Sequence, residues 1–161
     1  METEEYVEFV GFTSGSRVEL TELNEYVYGF VEKYRIAAGQ ITVISPHTTG
    51  AIIVNEKESG LKNDIINFLS RVIPRSAPDT IIWEHDDLAN RTENMCRGEK
   101  QNGQSHLVRL FLPRDQTIYI VNGFPILGQW EELFFVELDG PRYRNVVFKI
   151  TVNNRKKTGS K

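Results

Sequence analysis

The sequence predicts an α+β fold, a largely antiparallel multi-stranded sheet with two main helices packed on one face. Three observations carry this. Strand-like runs rich in Val, Ile and Phe far outnumber helical segments, only two segments show helical periodicity, and tight-turn signals separate the C-terminal runs. So few helices argue against a doubly wound sheet, in which helices and strands alternate. At 161 residues the chain can bury one core and is too short for two ordinary domains. We expect one domain over residues 1–152 and a basic, disordered tail over 153–161.

Each helix is read from its apolar spacing. Leu23, Val27, Phe30, Val31 and Tyr34 recur on one helical face behind Thr21, a residue type that caps helix N-termini. Leu61, Ile65, Phe68, Leu69 and Val72 repeat that spacing behind Ser59, and Pro74 stops the helix. The strands expected from composition and alternation are 6–12, 17–20, 40–45, 51–54, 80–83, 106–112, 117–121, 132–138 and 145–152. Arg114-Asp115, Asn122-Gly123 and Asp139-Gly140-Pro141 mark tight turns, so the stretch from His106 to Val152 reads as a meander of neighbouring strands. Residues 88–103 form a long polar stretch without period. Loops of that length in a compact domain are functional or disordered, and histidines on either side favour a loop at a site rim.

Composition narrows the classes of function. Charged residues make up 25% and the net charge is −3, which predicts no general affinity for nucleic acid. A single cysteine, Cys96, allows neither an intrachain disulfide nor a CxxC pair, and we read it as a free thiol. The acidic start lacks an apolar signal core and no run is long enough for a membrane span, so a cytoplasmic protein without membrane partners is expected. No GxGxxG, Walker loop or GxSxG occurs, which removes the common nucleotide and serine-hydrolase signatures.

Three histidines are all the chain has, each in a short polar motif at the end of an apolar run: His47 in Ser45-Pro46-His47-Thr48-Thr49, His85 in Glu84-His85-Asp86-Asp87, and His106 in Gln104-Ser105-His106. Imidazole is a common ligand for zinc, and three that leave a position open can activate water. Each histidine alone also fits a turn, a solvated loop or a sheet end. Thr48 and Thr49 offer hydroxyls and backbone N–H groups to an anion, or cap their own turn. Glu56 suits a base or an added ligand, or merely a helix dipole. Arg142, near Glu137 and Asp139, suits a carboxylate or phosphate, or an ion pair with those neighbours. Trp130 walls a pocket or belongs to a core or subunit interface.

Pro46-His47-Thr48-Thr49-Gly50-Ala51-Ile52-Ile53-Val54-Asn55-Glu56, His85-Asp86, Ser105-His106-Leu107, Leu127-Gly128-Gln129-Trp130 and Glu137-Leu138-Asp139-Gly140-Pro141-Arg142 together resemble, in the same order, the YjbQ-like family, also called the secondary thiamine-phosphate synthase family. The resemblance spans nearly the whole chain. It implies a compact α+β domain assembled as a homotrimer, a metal site at His47, His85 and His106, and Glu56, Glu137, Asp139 and Arg142 lining or supporting it. One position departs: Glu131 stands where the family commonly has glutamine after the tryptophan, exchanging a neutral amide for an acid.

The activity the resemblance implies joins a pyrimidine pyrophosphate to a thiazole phosphate and releases pyrophosphate. Such chemistry calls for a hard cation such as Mg²⁺ and several basic groups, whereas three imidazoles favour zinc. We therefore expect a metal-dependent enzyme acting on a small phosphorylated or anionic substrate, with Zn as the metal or Mg for the synthase reaction. In this reading Glu56, Glu137 and Arg142 are catalytic, and Thr48, Thr49, Asp139, Arg142 and Trp130 bind the anion. A zinc hydrolase and a non-catalytic metal or metabolite binder are the rivals.

Overall fold

The computed structural model describes residues 2–154. The expected tail therefore lies outside the described residues from 155 onward, while Asn153 and Asn154 still belong to the last strand. The architecture is α+β with antiparallel pairing throughout. Strands β1 (Glu2–Thr13), β8 (Tyr143–Asn154), β3 (Ala38–Ile44), β5 (Asp115–Val121) and β6 (Phe124–Pro125) form one sheet in that spatial order. Strands β2 (Glu19–Glu22), β7 (Glu131–Glu137) and β4 (Gly50–Glu56) form a second. The helices are α1 (Asn24–Lys33), α2 (Ser59–Arg71) and α3 (Gly103–Arg109), with a single 3-10 turn at Glu84–Asp86.

Two apolar clusters explain the layering. Ile41, Val43, Ile118, Ile120, Val146, Phe148 and Ile150 of the larger sheet meet Ile52, Leu133 and Phe135 of the smaller one, and Leu23, Val27 and Val31 at α1 pack with them. On the other face of the smaller sheet, Phe134 and Val136 join Leu69 of α2 and Val108 of α3. Strand β7 is the hinge of this arrangement. Its side chains from Glu132 to Glu137 are all buried, so it needs cover on both faces and becomes the middle of the three-stranded sheet. The expected meander ends there for that reason: β5 and β6 form a hairpin through Asn122-Gly123, both at positive φ, but β7 departs to the second sheet and β8 returns between β1 and β3.

Other local expectations change as well. Residues His106–Leu112 are not a strand: α3 covers Gly103–Arg109, because helical spacing buries Ser105 and Val108 together and turns Leu110 and Phe111 outward. Thr80–Trp83 is not a strand either. Ala77 and Thr80 close a tight turn, and the Ile82 N–H donates to Ser76 Oγ instead of a ladder. Leu23, not Thr21, occupies the N-cap of α1, and Glu58, not Ser59, caps α2 by accepting from Gly60 N and Leu61 N. Phe68 of α2 and Val72 at its C-cap face outward while Leu69 is buried.

Candidate functional site

The N-terminal end of β4, the start of β8, the Asp139 turn and the first turn of α3 meet around a cavity of about 380 Å³. The Ser45–Thr49 turn is fixed by Ser45 Oγ, which donates to Gly50 O at 3.0 Å. Glycine is needed at 50, since a Cβ there would lie 2.6 Å from the Phe135 ring. Thr48 and Thr49 thereby line the cavity. Arg144, on the buried face of β8, donates from Nη2 to Thr49 Oγ1 at 2.9 Å and from Nε to Glu137 Oε2 at 2.6 Å.

Glu137 is fully buried and accepts further bonds from Ser14 Oγ and from the N–H groups of Leu138 and Asp139. Its oxygens hold the Asp139 turn and the Arg144 guanidinium in place. Asp139 in turn takes Arg142 Nε and Nη2 on Oδ2, at 3.0 and 2.6 Å, and has Arg17 Nη1 3.7 Å from Oδ1. Three guanidiniums, those of Arg91, Arg142 and Arg144, border the cavity. Such planar forks match phosphate or carboxylate.

Helix α3 brings in the imidazoles. Its first N–H, on Gly103, donates to the buried Asp86 Oδ1 at 2.7 Å, while Gln104 Nε2 donates to Ser70 O and Ser105 Oγ to Leu138 O. These bonds seat α3 between the end of α2 and the end of β7. His106, on α3, then faces His85, on the 3-10 turn, with ring centroids 4.6 Å apart. Burial, and after it the neighbouring His85, lowers the His106 pKa below the ordinary histidine value. His85 Nε2 lies 3.0 Å from Asn102 Oδ1, and Asn102 Nδ2 donates to Asp139 Oδ2 at 2.9 Å. On the rim, the Cys96 thiol donates to Glu99 Oε2 at 2.8 Å, a bond that raises its pKa and keeps it protonated.

The expected site residues thus divide. His85, His106, Thr48, Thr49, Asp139 and Arg142 gather at the cavity. His47 is not among the residues that line the cavity. Its Nε2 lies 2.9 Å from Asn145 O and 3.2 Å from Asn145 N, so the backbone of β8 occupies that nitrogen. Burial, then the Arg144 charge, lowers its pKa. Among the described residues no group of three or more His, Cys, Asp or Glu side chains could hold a metal ion. Glu56 ends β4 on an exposed stretch, about 20 Å along the strand from Gly50 at ordinary strand rise. Trp130 is at that same remote end, where its carbonyl accepts from Lys57 N. Glu137 is buried beneath the cavity as the partner of Arg144.

Residues that sequence reasoning left out of the site are Arg91, Arg144, Asn102, Asn94 and Glu99. Arg144 had a signal: it stands in phase with Val146, Phe148 and Ile150, and a charge on an apolar strand face demands a partner. Asn102 sits inside the aperiodic stretch and had none.

Fold and site together define a small α+β protein with a guanidinium- and imidazole-lined pocket. A sequence model of the family described as UPF0047 protein YjbQ-like matches residues 9–153, and the chain belongs to that family. A UPF0047 protein of Methanothermobacter thermautotrophicus is 35% identical over 143 residues, 89% of this chain and 90% of its own length. One from Methanocaldococcus jannaschii is 33% identical over 138 residues, covering 85% and 88%. Among solved structures, a YbjQ-like protein of unknown function from Sulfolobus solfataricus superposes with a TM-score of 0.80 at 27% identity, over 94% of this chain and all of the other.

Proposed function

We propose that this protein is an enzyme acting on a small phosphorylated or otherwise anionic compound, with His85 and His106 exchanging protons with it. The observation that carries the reading is the paired imidazoles, 4.6 Å apart, at a cavity bordered by Arg91, Arg142 and Arg144. The guanidiniums and the Thr48–Thr49 turn would hold the anion. His106, whose pKa is depressed, is a neutral base near neutral pH and becomes an acid once protonated. Thiamine-phosphate synthesis is the activity to assay first, because the family resemblance names it and its substrates carry the anionic groups this cavity suits.

The test is a steady-state assay of thiamine-phosphate formation alongside calorimetric titration with inorganic phosphate. Phosphate binding that disappears in Arg142→Ala, with turnover that disappears in His106→Ala, is the expected result. Phosphate bound equally by wild type and Arg142→Ala would refute the anion site. Binding without turnover would make the protein a metabolite binder.

A second reading gives the same imidazole pair a metal. It is favoured by the chemistry of imidazole toward zinc and needs only His85 and His106 as protein ligands. Zinc retained after dialysis by wild type and His47→Ala, and lost from His85→Ala and His106→Ala, would support it. No zinc retained by wild type would remove it.

Assembly as a homotrimer and a cytoplasmic setting belong to this proposal too. The exposed free thiol of Cys96 suits a reducing compartment, and among the described residues no helix is long and apolar enough to cross a membrane.

A further inference from the structure

We propose that Asn102 is a positioning residue that decides which ring nitrogen of His85 is offered to the pocket. For its catalytic consequence the inference rests on the acid–base reading above; the hydrogen-bond logic stands apart from it. Asp139 is buried and gripped by Arg142 on Oδ2, with Arg17 beside Oδ1. A carboxylate between two guanidiniums only accepts hydrogen bonds. The Asn102 atom 2.9 Å from Asp139 Oδ2 is therefore its NH₂ group, since the flipped amide would set two acceptor oxygens against each other.

That choice propagates. With Nδ2 committed to Asp139, Asn102 Oδ1 faces His85 Nε2 at 3.0 Å, and an amide oxygen cannot donate. Nε2 must carry the proton. In neutral His85 the lone pair then sits on Nδ1, which has no hydrogen-bond partner among the described residues. Nδ1 is thus the nitrogen left for the pocket, while the Nε2 contact holds the ring in place.

A second feature points the same way. Asn102 occupies the N-cap position of α3, where asparagine is among the favoured residues, yet its side chain makes no capping bond. Asp86, from the 3-10 turn, takes the Gly103 N–H instead. The amide of Asn102 is spent sideways on Asp139 and His85. Arg91 braces the same histidine from behind, donating from Nη1 to the His85 carbonyl at 2.9 Å.

The experiment is long-range ¹H–¹⁵N correlation of the histidine rings in the ¹⁵N-labelled full chain at about pH 8, above the ordinary histidine range. His85→Gln identifies the His85 signals. The wild-type ring is expected to show a protonated-type Nε2 and an unprotonated-type Nδ1, without averaging. In Asn102→Ala the acceptor is gone, and in Asp139→Asn the amide is free to flip. Both variants should narrow the separation between the two ring-nitrogen shifts through tautomer exchange, with the backbone amide spectrum showing that each is folded. Asp139→Asn is the sharper test, because it leaves Asn102 and His85 in place. A wild-type Nδ1–H tautomer, or His85 shifts unchanged in both variants, would overturn the proposal. Adding inorganic phosphate to the same samples separates the two readings: a fixed tautomer in a protein indifferent to phosphate supports the role of Asn102 and rejects the anion site. Phosphate binding beside an averaged wild-type ring does the reverse.

Discussion

Glu137 and His106 are polar residues of one site with opposite freedom. Glu137 is wholly buried and bonded to Ser14, Arg144 and two backbone N–H groups, whereas no hydrogen bond holds the His106 ring among the described residues. Glu137→Ala would strand the Arg144 guanidinium without its ion-pair partner, a change that costs about 3–5 kcal/mol for buried pairs, and urea melts should show it. His106→Ala should leave the melt nearly unchanged and lower turnover on the order of 10²–10⁴-fold, the usual contribution of a general base. The pH dependence of stability belongs to this scale as well. His47 and His106 both have pKa values lowered chiefly by burial, relative to an unfolded value of about 6.5. Below about 6.5 the unfolded chain binds protons that the native state refuses. The stabilisation is therefore complete above that pH and is lost as pH falls through the depressed native values. Urea midpoints measured at descending pH should decline across this window in wild type, and less steeply in His47→Gln.

Helix α3 is the element on which the site depends, since its seat sets the distance between His106 and His85. Asp86→Ala removes the acceptor of the Gly103 N–H and leaves a buried donor unmet, a loss of about 1–3 kcal/mol. Because α3 carries His106, turnover should fall together with the urea midpoint. Turnover kept at the wild-type value would show that α3 holds its place without that bond. This element also marks the limit of what the chain's pattern discloses. Helix α1 was legible because Leu23, Val27 and Val31 bury one face at helical spacing, and β3, β4, β5 and β8 were legible from alternation and β-branched composition. His106–Leu112 is apolar and short, so strand and helix patterns both fit it. The bonds that decide for helix come from Asp86, Ser70 and Leu138, remote in sequence. The same holds for the site. The Asp139–Arg142 turn and the Thr48–Thr49 turn declared themselves as local motifs. The bond from Asn102 to His85, the capture of His47 by the β8 backbone and the burial of Glu137 under Arg144 are tertiary events with no local signature.

At the scale of the whole molecule, the outer face of the larger sheet carries exposed apolar side chains. On β1, Tyr6, Val10 and Phe12 pack inward, so by alternation Val7 and Phe9 point out, and Phe9 is 69% exposed. Phe9 pairs with Val147, which pairs with Ile44, giving an apolar row across three adjacent strands. Farther along the same face Tyr119 and Val121 of β5 are also exposed. Exposed apolar side chains gathered on one sheet face suit an interaction site, and a second copy of the chain is the partner the homotrimer proposal requires. Sedimentation velocity should then give about three times the 18.5 kDa chain mass for wild type. Phe9→Lys combined with Tyr119→Lys should give the monomer mass with an unaltered far-ultraviolet circular dichroism spectrum, since neither side chain contributes to the buried clusters. A wild-type protein that sediments as a monomer would refute the trimer. A double variant that stays trimeric would place the contact on another face, with Phe68 of α2, Val72 at its C-cap and Leu110 and Phe111 just beyond α3 the next exposed apolar residues to change.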